Sequence, residues 1–260
     1  PAADAGGLGG PSVAEGLPRA AAQGRADLHA AAGDRGRVQG EHGTGSVSAG
    51  RREAAIAMPE DLGAEASAKA ARAAHVVRAL KAAAAAHERM TARAAVVAET
   101  AGVIAAALKQ GRTVFAFGNG GSAADAQHIA AEFVGRYEAE RRALPAIALT
   151  TDTSALTALA NDYDFERIFS RQVDALAVEG DCLIAISTSG TSPNIIAAVM
   201  TARNRGCKIV GMTGSNGKKL AGLSDACIVV PSDRTARIQE AHITIAHIWC
   251  EIIENSIAVK

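Results

Sequence analysis

From residue 113 onward the chain alternates short apolar runs with stretches of helix length, and this alternation constrains the fold more than any other feature. Strands are expected at 113–117, 146–150, 182–187, 208–213 and 226–230. Helices are expected between them at about 122–135, 164–177, 193–205 and 217–223, with a last helix over about 235–257. The first run, Thr113-Val114-Phe115-Ala116-Phe117, is apolar at successive positions, as in a strand buried on both faces of a parallel sheet. Alternating strands and helices predict an α/β fold: a doubly wound, five-stranded parallel sheet flanked by helices, with ligands at the carboxyl ends of the strands.

The first strand runs into Gly118-Asn119-Gly120-Gly121-Ser122, so a glycine turn stands at one such carboxyl end. The glycines permit backbone angles and a close ligand approach that a Cβ would forbid, and Ser122 stands where a helix N-cap would. Free N–H groups at that helix start suit an anion or sugar hydroxyls. Further along the same helix, His128 and Glu132 are four residues apart and project from one face, where a metal or a proton-transfer site could use both.

A second loop holds the same position relative to its strand. Leu183-Ile184-Ala185-Ile186 leads into Ser187-Thr188-Ser189-Gly190-Thr191-Ser192-Pro193, which opens the next helix. Hydroxyls, backbone N–H groups and the helix dipole together form a neutral phosphate cradle, so a phosphorylated small molecule is the natural ligand. Capping with Pro193 at the first helical position accounts for Ser192 but leaves Ser187, Thr188 and Ser189 unexplained. The last helix carries Gln239 and His247, eight residues apart, with His242 between them as a competing histidine. Within that helix nothing decides between His242 and His247.

Bulk composition narrows the partners. Lysine plus arginine equals aspartate plus glutamate at 27 each, so no global field recruits nucleic acid or an anionic membrane. No apolar run is long enough to span a bilayer, and the expectation is a soluble, cytoplasmic protein. Cys182, Cys207, Cys227 and Cys250 lie far apart without a Cys-x-x-Cys pair and read as reduced thiols. Residues 1–57 contain no Phe, Trp or Tyr and are rich in Ala, Gly and Arg, which predicts a disordered extension, with a single domain over 58–260. From about 64 to 110 an alanine-rich stretch reads as two helices broken near His87 to Thr91, poor in large side chains and suited to pack on a partner subunit.

Gly118-Asn119-Gly120-Gly121-Ser122 with Asp125-Ala126-Gln127-His128 and Glu132, the Ser187-to-Ser192 loop, and Arg237-Ile238-Gln239-Glu240 followed by His242 and His247 together resemble the bacterial phosphoheptose isomerases, of the sugar isomerase (SIS) domain group. The likeness spans roughly residues 64–257. It implies a flavodoxin-like SIS sheet, with the N-terminal helices serving oligomerisation. It implies interconversion of sedoheptulose 7-phosphate and glycero-manno-heptose 7-phosphate, an early step toward nucleotide-activated heptose. It also implies one zinc ion per subunit on His128, Glu132, Gln239 and His247, and a homotetramer whose sites use neighbouring subunits. On this resemblance Glu132 is the base at carbon and His247 its acid/base partner. Asn119, Gly120, Gly121, Ser122, Glu132 and Gln239 face the sugar, while Ser187, Thr188, Ser189 and Ser192 hold the phosphate. Asn161 and Asp162, which alone would read as a helix C-terminal turn, also face the sugar by similarity. Two rival readings are a non-catalytic SIS module that binds the replication initiator and an isomerase for another phosphosugar.

Overall fold

Each strand is built from residues that bury both faces. In the computed structural model, which describes residues 60–257, β1 (Val114–Gly118) and β3 (Cys182–Ile186) are buried at every position. With β2 (Ala146–Ala148), β4 (Lys208–Gly214) and β5 (Ala226–Val230) they form one parallel sheet in the order β2-β1-β3-β4-β5. The order reverses between β1 and β3. In doubly wound sheets this switch point opens the crevice where ligands bind.

Residues alternate between the two faces of the sheet. Ala116, Ile184 and Val210 belong to a core with α2 (Ala94–Lys109), α3 (Gly121–Val134) and α8 (Thr235–Ile257), through Ile104, Leu108, Phe133, Trp249 and Ile253. Phe115, Phe117, Leu183 and Ile209 pack on the other face against α5 (Ser170–Leu176), α6 (Pro193–Asn204) and α7 (Lys218–Leu223), through Val173, Ile195, Val199 and Leu220. The two helices that carry the candidate site, α3 and α8, therefore lie on the same side of the sheet.

The expected five strands and their order of appearance hold to within a residue or two. Residues 164–177 are not one helix: Asp164 caps a 3-10 turn over Phe165–Arg167, and α5 begins only at Ser170. Nor does the N-terminal hairpin break at His87 to Thr91. Helix α1 (Glu60–Thr91) runs through that stretch, with His87 bonding back to the Ala83 carbonyl at 2.9 Å, and the break falls at Ala92 and Arg93. That segment has no Gly or Pro to end a helix, and Met90 is buried there. Helix α4 (Thr153–Asp162) follows β2, capped by Asp152. The expectation of disorder over 1–57 lies outside the described residues. Among the described residues, no single helix is long and apolar enough to cross a membrane.

Candidate active site

The glycine turn is tight because three elements meet at it. A methyl on Gly118 would overlap the Ser122 backbone, and Gly120, at φ +57°, takes a left-handed conformation that glycine adopts without strain. The N-cap of α3 is Gly120 rather than the expected Ser122. Ser122 instead lies buried inside the first turn, its N–H donating to the Asn119 carbonyl at 3.0 Å. The Gln239 side chain from α8 fills the space that a methyl on Gly121 would need.

The two loops at the switch point are clamped together by a residue with no expected role. Asn119 donates to the Asn194 amide oxygen at 2.9 Å, and Asn194 donates back at 2.8 Å. The same Asn194 oxygen accepts the Ile195 N–H at 3.0 Å, which holds the buried amide at the start of α6. In the sequence, an asparagine just after Pro193 is poorly suited to a helix unless its amide is bonded, a usable signal.

Around the second loop, hydroxyls face one another. Ser187 Oγ lies 3.1 Å from Ser192 Oγ and 3.5 Å from Ser189 Oγ, and accepts the Gly190 N–H at 3.1 Å. Ser192 occupies the N-cap position of α6 but its side chain makes no capping bond; it turns to Ser187. Capping therefore does not account for Ser192, and a hydroxyl-lined hollow at a helix N-terminus remains. Thr188 is half-buried beside it, with its carbonyl accepting from Gly214. Gly190, at φ +66°, has Gly217 and Thr213 packed where a Cβ would go, so the loop is pinned from behind.

A cavity of about 310 Å³ lies beside the glycine turn, lined by Asn119, Gly120, Thr150, Leu156, Thr157 and Phe169 among others. Asn161 and Asp162 line no part of it. They stand exposed at the end of α4, bonded to each other at 2.8 Å.

The proton-transfer candidates gather two turns further along α3. His128 Nε2 is 3.3 Å from Glu132 Oε1 and 3.0 Å from His247 Nε2 on α8. Tetrahedral zinc ligands about 2.0–2.1 Å from a metal stand about 3.3 Å apart, so each of these two pairs has the spacing of neighbouring zinc ligands. Among the described residues, however, no group of three His, Cys, Asp or Glu side chains is arranged to hold a metal ion. Gln239 does not join the histidines within this chain. It meets Gly121, seven residues before His128, about two helical turns or 10 Å away. Asp125, one turn before His128, has one carboxylate oxygen buried without a partner among the described residues; burial pushes its carboxyl up, and nearby His128 works against that.

His242 is separated from this cluster. It is fully buried, its Nε2 lies 3.3 Å from the Thr213 carbonyl, and burial pushes its imidazole down to about 4. A histidine held neutral in the core is a packing residue, and of the pair it is His247 that meets His128.

The SIS domain family matches residues 69–214. The chain is 56% identical to the phosphoheptose isomerase of Aquifex aeolicus over 164 residues, 63% of this chain and 86% of that one. It is 59% identical to that of Nitratiruptor sp. over 150 residues, 58% of this chain and 80% of its relative. The chain belongs to the phosphoheptose isomerase family of SIS domains. Solved structures agree: the phosphoheptose isomerase of Neisseria gonorrhoeae superposes with a TM-score of 0.64 at 43% identity, covering 72% of this chain and 98% of that one. For the enzyme from Francisella tularensis the TM-score is 0.67 at 38% identity, with 71% and 98% covered. This SIS domain thus carries the family's sheet, and its two loops and the His128–Glu132–His247 cluster lie within the segments that sheet positions.

Proposed function

We propose that this SIS domain is an aldose–ketose isomerase that interconverts sedoheptulose 7-phosphate and D-glycero-D-manno-heptose 7-phosphate. The observation that carries the reading is the meeting of His128, Glu132 and His247 from two helices, in a chain whose second loop gathers hydroxyls at a helix N-terminus. The phosphate is held by Ser187, Thr188, Ser189 and Ser192 with the N-terminus of α6. Asn119, Gly120, Gly121, Ser122 and Gln239 line the sugar's path, and Asn161 and Asp162, exposed at the end of α4 and turned to each other, would have to swing toward the sugar to contact it.

Isomerisation removes a proton from C1 of the ketose, forms an enediolate and returns a proton to C2. Glu132 takes the carbon-bound proton. His247 supplies one to the C2 oxygen and accepts one from the C1 oxygen as the aldehyde forms. His128, between them, orients both. His128, Glu132 and His247 are also the residues that would hold a zinc ion, one per subunit, with Gln239 as a further ligand. Bound there, zinc would polarise the substrate carbonyl. Because Gln239 lies about two turns from the histidines in a single chain, its part in that ligand set falls to a neighbouring subunit of a homotetramer. Exposed Val76, Val77 and Leu80 on α1, and an apolar groove of about 380 Å³ lined by Met90, Val97, Ile245, Ile248 and Ile252, support such an assembly. A phosphorylated sugar substrate fits a cytoplasmic enzyme.

The test is to incubate the protein with sedoheptulose 7-phosphate in deuterated water, with and without zinc. Formation of the aldose phosphate with deuterium at C2 is expected. No aldose and no exchange under either condition would favour the non-catalytic binding module, and turnover of a shorter phosphosugar alone would reassign the substrate.

A further inference from the structure

One buried ion pair lies outside the reacting groups and joins both helices that carry them. Glu254, one face-repeat of α8 beyond His247, and Arg141 are 2% to 4% exposed and 3.0 Å apart. Glu254 also accepts the backbone N–H groups of Tyr137 at 2.7 Å, Glu138 at 3.0 Å and Ala139 at 2.8 Å. Arg141 donates to the carbonyls of Glu132 at 2.8 Å and Phe133 at 3.0 Å, the last turn of α3, and to those of Gly135 and Arg142. Burial works against the Glu254 carboxylate, but the three backbone donors and Arg141 outweigh it and hold its carboxyl below the usual range. Isolated buried ion pairs are poor sources of stability, because desolvation offsets the attraction. What this one does is specify the path of residues 136–142, and that path lays the Tyr137 ring on the His247 imidazole, centroids 5.5 Å apart and planes 25° from parallel.

We propose that Tyr137, delivered by the Glu254–Arg141 pair, is a positioning residue that fixes the His247 ring with its Nε2 toward His128. The second side-chain torsion of histidine is soft, and stacking on a flat, anchored ring removes that freedom. The histidine contact, 3.0 Å between the two Nε2 atoms, survives only in that orientation. The inference deepens the isomerase reading and rests on it for its kinetic part. Displacement of a reacting group by about 1 Å costs up to about a hundredfold in rate, which sets the scale of the effect.

The experiment compares Tyr137→Leu and Tyr137→Phe with the parent protein. Expected for Tyr137→Leu is a kcat lower by about ten- to a hundredfold, with the KM for sedoheptulose 7-phosphate within about twofold, and for Tyr137→Phe a near-parental kcat. A Tyr137→Leu enzyme with parental kcat overturns the proposal. So does a Tyr137→Phe enzyme as slow as Tyr137→Leu, since the hydroxyl and not the stack would then be at work. A readout independent of turnover is the ring-current shift of the His247 ring protons, assigned with a His247→Gln control. It should persist in Tyr137→Phe and vanish in Tyr137→Leu; equal shifts in all three proteins refute the stack. If the parent protein lacks turnover but the shifts behave as expected, the isomerase reading fails and the positioning role stands.

Discussion

Acidification should destabilise this fold through a single core histidine, and the size of the effect follows from its burial. His242 is about 1% exposed, with only the Thr213 carbonyl as a hydrogen-bond partner and its Nδ1 unpartnered among the described residues. Burial lowers its imidazole from 6.5 to about 4, while the contact with Thr213 works in the opposite direction. The unfolded chain therefore binds a proton near pH 6.5 that the folded chain resists until about pH 4, so stability is complete above the upper value and falls as pH drops between the two. At about 1.4 kcal/mol per pH unit, the full gap is worth about 3 kcal/mol, of which about 2 kcal/mol is lost by pH 5. The assay is denaturant unfolding of the parent protein and of His242→Gln, at equal protein concentration, from about pH 7 to pH 4. The glutamine keeps an amide donor for the Thr213 carbonyl and cannot titrate. The stability of the parent relative to the variant should fall by about 3 kcal/mol over that range. Curves that stay parallel would show that His242 is not held neutral by the core, and would reopen the choice between His242 and His247.

Replacing Glu132 with Gln should lower kcat by at least about a hundredfold while sedoheptulose 7-phosphate still binds, the scale of losing a general base; a near-parental rate removes Glu132 from the chemistry. Changing Ser187 and Ser189 together to Ala removes two hydroxyls from the anion seat, each worth about 1.5–3 kcal/mol toward a charged group, and should raise KM at least about a hundredfold with little change in kcat. An unchanged KM would put the phosphate elsewhere. Asn194→Ala leaves the Asn119 amide without its reciprocal partner, at a cost of about 1–3 kcal/mol; at about 2–4 °C per kcal/mol the melting midpoint should drop by several degrees, and an unmoved midpoint would mean the clamp contributes nothing.

The sheet was legible in the chain because burial on both faces writes continuous apolar runs, and a strand needs little more than that to be recognised. The two loops were legible for a related reason: glycine and hydroxyl clusters directly after a strand have few other uses. On α8 the stripe Ile238, His242, Ile245, Trp249 follows the helical period and is buried throughout, while His247 falls off it, so the separation of the two histidines was present in the pattern. It was masked because the helix is apolar on most of its surface.

What periodicity does not carry is depth. Eight residues separate Gln239 from His247, which places them on neighbouring sides of α8 but about 12 Å apart along its axis. Only the packing of α8 beside α3 decides that Gln239 meets Gly121 while His247 meets His128. Glu254 and Arg141, more than a hundred residues apart in the chain, tie α8 to the end of α3, while the Trp249 indole ties α8 to α2 through Thr100 at 2.9 Å. Motif order can therefore name residues that share a helix without fixing how deep along it each one meets its neighbour.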